Sequence, residues 1–408
     1  MQKRVQKYNI FLKYANILSK KRHINVIFSH IYKVDVHFWG NSFAKLQKKS
    51  YLCTRVRQIV LSDVADDIKR TMIEPMDVAL QIRQPIAEAF HEYESLYEQT
   101  MRSDNALLDQ VLRYISAKRG KQLRPTLVLL AAKLCREVSD KSIRAAVALE
   151  MLHNASLVHD DVVDDSAMRH GVASVHERWT NKVAVLVGDW MLARMIGMVG
   201  EIRNAQILAI VSEMARALSS GELIQLHAGS TMWISEEQYF DIIGKKTAEL
   251  FAACTEAGAV SAGCSYRQQT AMRTYGYELG LIFQLKDDVL DYSDAEEVGK
   301  PTMGDIRDGK ATLPLLIALQ RAPRDEASHI REIAEELNNQ QRSLSSQTQA
   351  EIEQEIKNFV MRYDGVRYAY QWMRTHRNKA EEALSIFHDS ETKQAMLTLL
   401  DYIISRLY

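Results

Sequence analysis

The chain has 408 residues, which is enough for one large domain or two of ordinary size. Its 52 basic and 52 acidic residues give a formal net charge of zero, so overall charge gives no reason to expect nucleic-acid binding. The chain contains only 6 prolines and 17 glycines, and runs of β-branched residues are scarce. This composition predicts an all-α protein.

Cysteine usage and hydropathy bear on the compartment. The four cysteines form neither a C-x-x-C pair nor a zinc-binding spacing: Cys53, Cys135, Cys254 and Cys264. We therefore expect free thiols in a reducing compartment and a cytoplasmic protein. No uninterrupted apolar run is long enough to span a bilayer, and a very apolar segment carries Asp189 and Arg194. We expect no transmembrane segment.

Residues 1–72 differ from the rest of the chain because they are strongly basic, with Asp35 as the single acid before position 60. This pattern suits a mitochondrial transit peptide, although the segment is not rich in Arg and Ser. It also suits a basic arm that binds nucleic acid or membrane. A third interpretation, which we favour, is that translation starts at Met72 or Met76. We therefore expect an extension that is disordered or not native, followed by one domain over residues 73–408.

An acidic cluster ends the helix predicted over residues 140–165. In a helix, Asp160 and Asp164 lie one turn apart, and so do Asp161 and Asp165. Stacked like charges destabilise a helix unless a multivalent cation lies between them. Oxygen ligands favour Mg²⁺ or Mn²⁺. A solvated acidic helix end is the alternative interpretation.

A second copy of this pattern argues against the alternative interpretation, in which the aspartates form a solvated helix end. Asp287, Asp288 and Asp291 repeat the Asp-Asp-x-x-Asp spacing within another apolar helical segment, predicted over residues 271–291. Two acidic helix faces that flank one cavity hold several metal ions between them. The ligand that fits such a cluster is a diphosphate, whose oxygens bridge the ions.

Several cationic residues are placed where they suit phosphate groups. Gly120 ends one predicted helix and Pro125 starts the next, so Lys121 and Arg124 lie at a helix amino terminus, where free N–H groups assist anion binding. A connector with solvated charges is the alternative. Two further residues lie near the first acidic cluster: His153, two turns before Asp160, and Arg169.

Two later segments carry similar signals. Lys246 and Thr247 begin an apolar run, but the upstream glycine of a P-loop and a preceding strand are missing, so we exclude a Walker motif. The segment 297–314 is rich in glycine and carries Lys300, Arg307 and Lys310. We expect it to be a lid that closes over the diphosphate, with a solvated surface loop as the alternative.

Taken in order, these motifs resemble the trans-type polyprenyl diphosphate synthases from about residue 76 to the carboxyl terminus. The resemblance is carried by Gly120-Lys-x-Leu-Arg-Pro, both Asp-rich motifs, Lys246-Thr-Ala-x-Leu-Phe, Phe283-Gln-Leu-x-Asp-Asp, Gly299-Lys-Pro and Gly309-Lys-Ala-Thr. It implies a single all-helical bundle around a central cavity, and a homodimer. It also implies repeated condensation of isopentenyl diphosphate onto an allylic diphosphate.

The resemblance also implies roles for individual residues. Magnesium-binding positions match Asp160, Asp161, Asp164, Asp287, Asp288 and Asp291. Positions that contact or close over the allylic diphosphate match Arg169, Lys246, Thr247, Gln284, Lys300 and Lys310, of which Lys246 and Lys300 are expected to be catalytic. Positions that bind isopentenyl diphosphate match Lys121, Arg124 and His153.

One position departs from the family. His170 stands where the family has an arginine that contacts isopentenyl diphosphate, and an imidazole is a weaker phosphate ligand than a guanidinium group. We expect isopentenyl diphosphate to bind more weakly than it does with an arginine at this position. Binding should be tighter below neutral pH, where the imidazole is protonated. His170→Arg should lower the KM for this substrate.

The expected product is long. One turn before Asp160 lie the small residues Ala155 and Ser156, whereas bulky aromatic residues at these positions give short products in the family. We expect an octaprenyl-to-decaprenyl product with Met195 or Met198 as the floor, and shortening by Ala155→Phe. A respiratory quinone side chain is the expected destination, with peripheral membrane contact during product release.

Three other functions were weighed. A class I terpene cyclase shares the first motif but usually lacks the second Asp-rich motif. A non-catalytic partner subunit of a heteromeric synthase would have lost aspartates that this chain keeps. A His-Asp phosphohydrolase would use His159 with Asp160, but the second acidic cluster would then be unexplained.

Overall fold

The computed structural model describes residues 75–117, 120–169, 171–229, 232–293, 302–339 and 343–406. The basic extension, Met72, His170 and Lys300 therefore lie outside the described residues. The helices, numbered in chain order, are α1 Pro75–Arg83, α2 Ala87–Thr100, α3 Ala106–Ser116, α4 Leu123–Cys135, α5 Asp140–Val163, α6 Val175–Arg178, α7 Asn181–Ile202, α8 Ala205–Gly229, α9 Glu236–Ile243, α10 Glu249–Ser261, α11 Tyr266–Asp291, α12 Gly304–Arg307, α13 Leu313–Arg321, α14 Arg324–Asn339, α15 Ser346–Arg362, α16 Gly365–Leu384 and α17 Glu391–Ser405. The predicted all-α class is confirmed.

Local sequence fixes where the long helices begin. Ser139 and Ser142 form a reciprocal capping box at the start of α5, and Ser265 with Gln268 does the same for α11. A third capping box, made by Ser235 with Gln238, starts α9. Each box satisfies N–H groups that the first helical turn cannot pair internally.

The core lies where α4, α5, α10 and α11 pack together. Glycine permits the closest approaches. A Cβ atom on Gly258 would lie 2.2 Å from the carbonyl oxygen of Val128, and one on Gly276 would lie 2.2 Å from Thr255 Oγ1. Outside this core, α7 covers α5 and α16 covers α11. The two helices that carry the Asp-rich motifs are thereby held rigidly.

Several element boundaries differ from the predictions. The helix predicted over residues 140–165 ends at Val163, because Asp165 has a left-handed conformation with φ of 49°. A 3₁₀ turn, Gln84–Ile86, separates α1 from α2, because Pro85 cannot donate a helical hydrogen bond. A short antiparallel pair, β1 (Met168–Arg169) with β2 (Val172–Ala173), was not predicted.

Helix α7 is the one described helix that is long and apolar enough to cross a membrane. Within its most apolar window, 39% of the residues are buried against the rest of the protein. Core helices of non-membrane proteins have the same length and composition, so this is weak evidence for a membrane span. The buried side of α7 packs on α5.

Candidate active site

The first Asp-rich motif lies at the carboxyl end of α5. Asp160 is half-buried, and burial, followed by the negative charge of Glu222, raises its pKa to about 6. Asp161 is buried and accepts a hydrogen bond from Arg169 Nε at 2.8 Å. Asp164 caps the helix and is exposed. The motif therefore presents one strained, partly desolvated carboxyl group, one carboxylate neutralised by arginine, and one in solvent.

The second motif lies at the carboxyl end of α11. Asp288 is 1% exposed, and it accepts hydrogen bonds from Tyr239 at 2.5 Å and from Gln284 Nε2 at 2.9 Å. Burial raises the pKa of Asp288 to about 7 in spite of these hydrogen bonds, and the charges of Asp287 and Asp291 contribute. The buried acidic group thus holds its proton near neutral pH when no cation is close.

The flanking aspartates of the second motif have partners elsewhere in the fold. Asp287 pairs with Arg406, just beyond α17, at 2.7 Å. Asp291 accepts the backbone N–H groups of Gly304 at 3.0 Å and of Asp305 at 3.1 Å. The predicted lid segment therefore contains a short helix, α12, whose amino terminus is attached to the acidic site.

A π-helical segment, Gly244–Ala248, connects the two motifs. Lys246 Nζ lies 2.7 Å from Glu222 Oε1, and its charge acts on Asp160. The next residue, Thr247, donates to Gln284 Oε1 at 3.0 Å, and Gln284 in turn donates to Asp288. Two consecutive residues therefore reach the two acidic sites, which places both sites beside one segment. Single π turns inside helices occur frequently at functional sites.

The loop before α4 has the features of an anion site. Gln122 adopts a left-handed conformation at the start of α4, where no side chain caps the free N–H groups. Arg124 is packed 5.6 Å from the Phe251 ring, and burial lowers its pKa. Among the described residues, buried Gln122 Nε2 and Arg124 Nε have no hydrogen-bond partner. Lys121 Nζ lies 5.9 Å from the Tyr402 ring.

Arg124 connects this loop to the acidic site, because the charges of Glu150 and Asp287 both act on it. His153 lies one turn after Glu150 on α5 and is half-buried. Orphaned N–H donors next to a helix amino terminus are the groups that a diphosphate would satisfy. Lys121, Arg124 and His153 therefore surround a region that is separate from the metal motifs but adjacent to Asp287.

The metal fit depends on the donor chemistry. Among the described residues, no group of three or more His, Cys, Asp or Glu side chains is already arranged around one point. The six aspartates nevertheless offer only oxygen ligands, which suits a hard divalent cation. Asp160 and Asp288 have raised pKa values because they are buried near other negative charges, and a cation would relieve this repulsion. Arg169 and Arg406 each contact only the Oδ1 atom of their aspartate, which leaves the second carboxylate oxygen of Asp161 and of Asp287 for a metal ion.

Of the predicted lid cations, the structure describes Arg307 and Lys310, and both have partners other than the Asp-rich motifs. Arg307 donates to the backbone of Met303 at 3.2 Å and lies 3.4 Å from Glu353. Lys310 Nζ lies 3.6 Å from Asp308. Lys310 also lowers the pKa of Asp305, although burial raises that pKa more strongly. The lid therefore carries its own charge pairs.

The two predicted chain-length residues occupy different environments. Ala155 is completely buried, whereas Ser156 is half-buried and its hydroxyl donates to the His153 carbonyl oxygen at 2.8 Å. Met195 and Met198 are buried in α7, and Met198 Sδ lies 3.8 Å from Arg144, near the start of α5. Of the two side chains, only that of Ser156 is partly exposed.

Three site residues were missed in the sequence: Tyr239, Asp305 and Arg406. Each acts through a partner more than ten positions away, so no local motif includes it. The Gly304-Asp305 pair gave a weak signal, because glycine followed by an acid suits a helix start. Tyr239 and Arg406 have no comparable signal in the surrounding residues.

The fold and the paired Asp-rich sites define an all-helical enzyme of the isoprenoid synthase type. The polyprenyl synthetase family model matches residues 105–352, which is more than half of the chain. The chain belongs to this family, as its motifs predicted. It is a prenyltransferase of the polyprenyl diphosphate synthase class, and the predicted enzyme class is confirmed.

Individual relatives support this assignment. The octaprenyl diphosphate synthase of Haemophilus influenzae is 35% identical over 309 residues, which cover 76% of this chain and 91% of the relative. A polyprenyl synthase of Caulobacter crescentus CB15, solved with calcium and isoprenyl diphosphate, is 34% identical with a TM-score of 0.73 and covers 81% of this chain and 98% of its own. A geranylgeranyl pyrophosphate synthase of Bacteroides thetaiotaomicron is 36% identical with a TM-score of 0.68, covering 81% and 100%. Family members use divalent metal ions.

Proposed function

We propose that this protein elongates an allylic diphosphate with isopentenyl diphosphate units to a long-chain trans-polyprenyl diphosphate, with Mg²⁺ or Mn²⁺ as its metal. The observation that carries the proposal is the pair Lys246 and Thr247, which link the Asp160 site to the Asp288 site. The octaprenyl relative and the small side chains of Ala155 and Ser156 support a long product. We place this product in the synthesis of a respiratory quinone side chain.

The reaction follows from the groups present. Bound divalent cations supply positive charge that stabilises the departing diphosphate. Lys246, Thr247 and Gln284 orient the allylic diphosphate so that its carbon–oxygen bond ionises toward the apolar interior. Lys121, Arg124 and His153 hold isopentenyl diphosphate next to the resulting allylic cation. The isopentenyl double bond attacks, and the proton it then loses passes to the departing diphosphate.

Water must be kept from the allylic cation, and the helix core provides the barrier. The residues behind Asp160 on α5, among them Leu152, Ala155 and Val158, are buried or nearly so. An apolar wall that excludes water prevents premature quenching of the cation. The same wall receives the growing prenyl chain.

We also propose that the protein forms a homodimer through the outer face of α7. This face exposes Val185, Leu186 and Ile196, of which Leu186 is 67% and Ile196 61% exposed. Gly197 and Gly200 on the same face have no atom within 4 Å of an added Cβ, so a neighbouring helix has room to approach. Apolar residues concentrated on one exposed helix face mark protein–protein contacts more often than bare surface.

The assay of the proposed reaction uses radiolabelled isopentenyl diphosphate, farnesyl diphosphate and Mg²⁺, with chromatography of the dephosphorylated products. We expect a prenyl alcohol of eight to ten isoprene units, and no product when the metal is chelated. A cyclic hydrocarbon would indicate a terpene cyclase instead. Release of phosphate without chain growth would indicate a phosphohydrolase.

A further inference from the structure

Helix α1 ends at a side chain that reaches into the loop before α4. Arg83 Nε donates to Thr126 Oγ1 at 3.2 Å, and Arg83 Nη2 donates to the carbonyl oxygen of Lys121. The guanidinium group also lies 4.2 Å from the centroid of the Phe90 ring. One side chain therefore holds both ends of the segment 121–126, while an aromatic ring fixes its plane.

The loop needs support from outside because its own residues provide little. Gln122 has φ of 47° and ψ of 44°, a conformation that is strained for a residue with a side chain. No side chain caps the start of α4, so the free N–H groups there are not secured locally. Within the loop, the Thr126 hydroxyl donates to the Gln122 carbonyl oxygen at 2.8 Å. Arg83 contacts that same threonine.

Arg83 lies near carboxylates that partly offset the cost of burying its charge. It is half-buried, and burial is the largest influence on its pKa, which is lowered, while Glu94 and Glu150 act in the opposite direction. The negative charge of buried Glu150 also acts on Arg124, so the same carboxylate influences both arginines. Arg83 therefore contacts both ends of a loop in which Gln122 has a strained backbone conformation.

We infer that Arg83 is a positioning residue for isopentenyl diphosphate. By fixing the carbonyl of Lys121 and the hydroxyl of Thr126, it holds Lys121, Arg124 and the free N–H groups of α4 in the geometry that one diphosphate requires. This inference rests on the proposed function, because it assigns this loop to the isopentenyl substrate. The allylic diphosphate site, formed by the Asp-rich motifs and the π segment, does not depend on Arg83.

The test compares Arg83→Met and Arg83→Lys with a matched control, Arg113→Met, which removes an arginine from a surface ion pair with Asp109. We expect Arg83→Met to raise the KM for isopentenyl diphosphate at least about tenfold, because two hydrogen bonds from a charged donor are lost. The KM for farnesyl diphosphate should change by less than about twofold. Arg83→Lys keeps the charge but loses the paired contact, so its KM should lie between those of Arg83→Met and the wild type. Arg113→Met should match the wild type.

A double-mutant cycle with Thr126→Val tests the route of the effect. If Arg83 acts through the loop, the two substitutions disturb the same contact. The fold-increase in KM of the double variant should then be well below the product of the fold-increases of the two single variants. Thermal unfolding identifies loss of the fold. If Arg83→Met does not fold, Arg83→Lys carries the test in its place.

Three results would overturn the inference: an unchanged KM for isopentenyl diphosphate in a folded Arg83 variant, equal increases for both substrates, or fully additive effects with Thr126→Val. These results require an active wild-type enzyme. Failure of the proposed function would instead appear in the wild type itself, as an absence of chain elongation.

Discussion

Asp288 illustrates how one residue joins structure to chemistry in this protein. It is almost completely buried, so its neutral form is favoured up to near neutral pH, although the hydrogen bonds from Tyr239 and Gln284 favour the charged form. Asp160 has a similar tendency for the same main reason, burial. Both groups lose their proton more readily when a cation is bound nearby, because its positive charge stabilises the carboxylate that burial disfavours.

This arrangement predicts how the stability of the metal-free protein depends on pH. Folded Asp160 and Asp288 bind protons with pKa values of about 6 and about 7, whereas the ordinary pKa of an aspartate side chain is 3.8. The folded state therefore holds more protons than the unfolded state between these limits, and the free energy of unfolding falls as pH rises from about 4 to about 7. Asp288→Asn should reduce this fall by an amount on the order of a few kcal/mol.

The measurement is denaturant unfolding at pH 5 and pH 8 in the presence of a chelator, for wild type and Asp288→Asn. The difference between the two proteins removes the contribution that their shared titrating residues make to the pH dependence of the free energy of unfolding. If both lose the same free energy between pH 5 and pH 8, the buried acid does not carry the proton that this description assigns to it.

We also expect single residues to decide product length. Ser156 is half-buried one turn before Asp160, so Ser156→Phe should project a ring into the path of the growing chain and shorten the product by several isoprene units. Ala155 is completely buried, so Ala155→Phe should destabilise the fold by about 1–3 kcal/mol through overpacking. Chromatography of the products and thermal unfolding check the two expectations. An unchanged product from folded Ser156→Phe would remove this residue from the chain path.

At this scale the sequence predicted residue types better than contacts. Spacing was enough to identify the aspartates as candidates, and the family resemblance of local motifs added Lys246, Thr247 and Gln284. It could not predict that Arg406 pairs with Asp287, 119 positions away along the chain, since an ion pair between distant segments depends on how the helices pack.

At the scale of elements, close contact between α10 and α11 determines how rigidly the second motif is held. A Cβ atom on Gly276 would lie 2.2 Å from Thr255 Oγ1 and 2.5 Å from the Phe251 carbonyl oxygen, and one on Gly280 would lie 2.5 Å from the Cα atom of Ala248. The two glycines therefore allow α11 to approach α10 and the π segment closely. Such contacts do not follow from hydrophobic periodicity.

Gly276→Ala tests this packing. In a free helix alanine is more favourable than glycine by about 1 kcal/mol, but here the added methyl group meets a backbone oxygen that cannot move away cheaply. We expect destabilisation of about 1–3 kcal/mol, measured by denaturant unfolding. Thr274→Ala, on the exposed side of the same helix, is the control and should be neutral or slightly stabilising. A Gly276→Ala protein as stable as wild type would show that the two helices separate easily.

Helix periodicity and capping residues predicted most element positions, while helix ends were less well predicted. The end of α5 at Val163 is an example, because Asp165 turns into a left-handed conformation that apolar spacing does not reveal. The π segment was also not predicted, since its residues continue the helical hydrophobic pattern. In both places the deviation lies beside the acidic site, where local preference gives way to function.

At the scale of the whole molecule, the exposed apolar face of α7 predicts assembly. Ile196→Arg would place a charge in the middle of that face, so we expect the dimer to dissociate, as measured by sedimentation. Met361→Arg provides a matched control, because Met361 is similarly exposed, at 60%, but lies on α15. Dissociation by both substitutions, or by neither, would argue against α7 as the contact.

The central claim is that two acidic helix ends act together on one diphosphate. Its most direct test is the kcat for chain elongation of Asp160→Ala and of Asp287→Ala, with the fold checked by circular dichroism. Each substitution removes a metal ligand from a different side of the site, so each alone should lower kcat by at least about a thousandfold. Near-normal turnover in either folded variant would contradict the account.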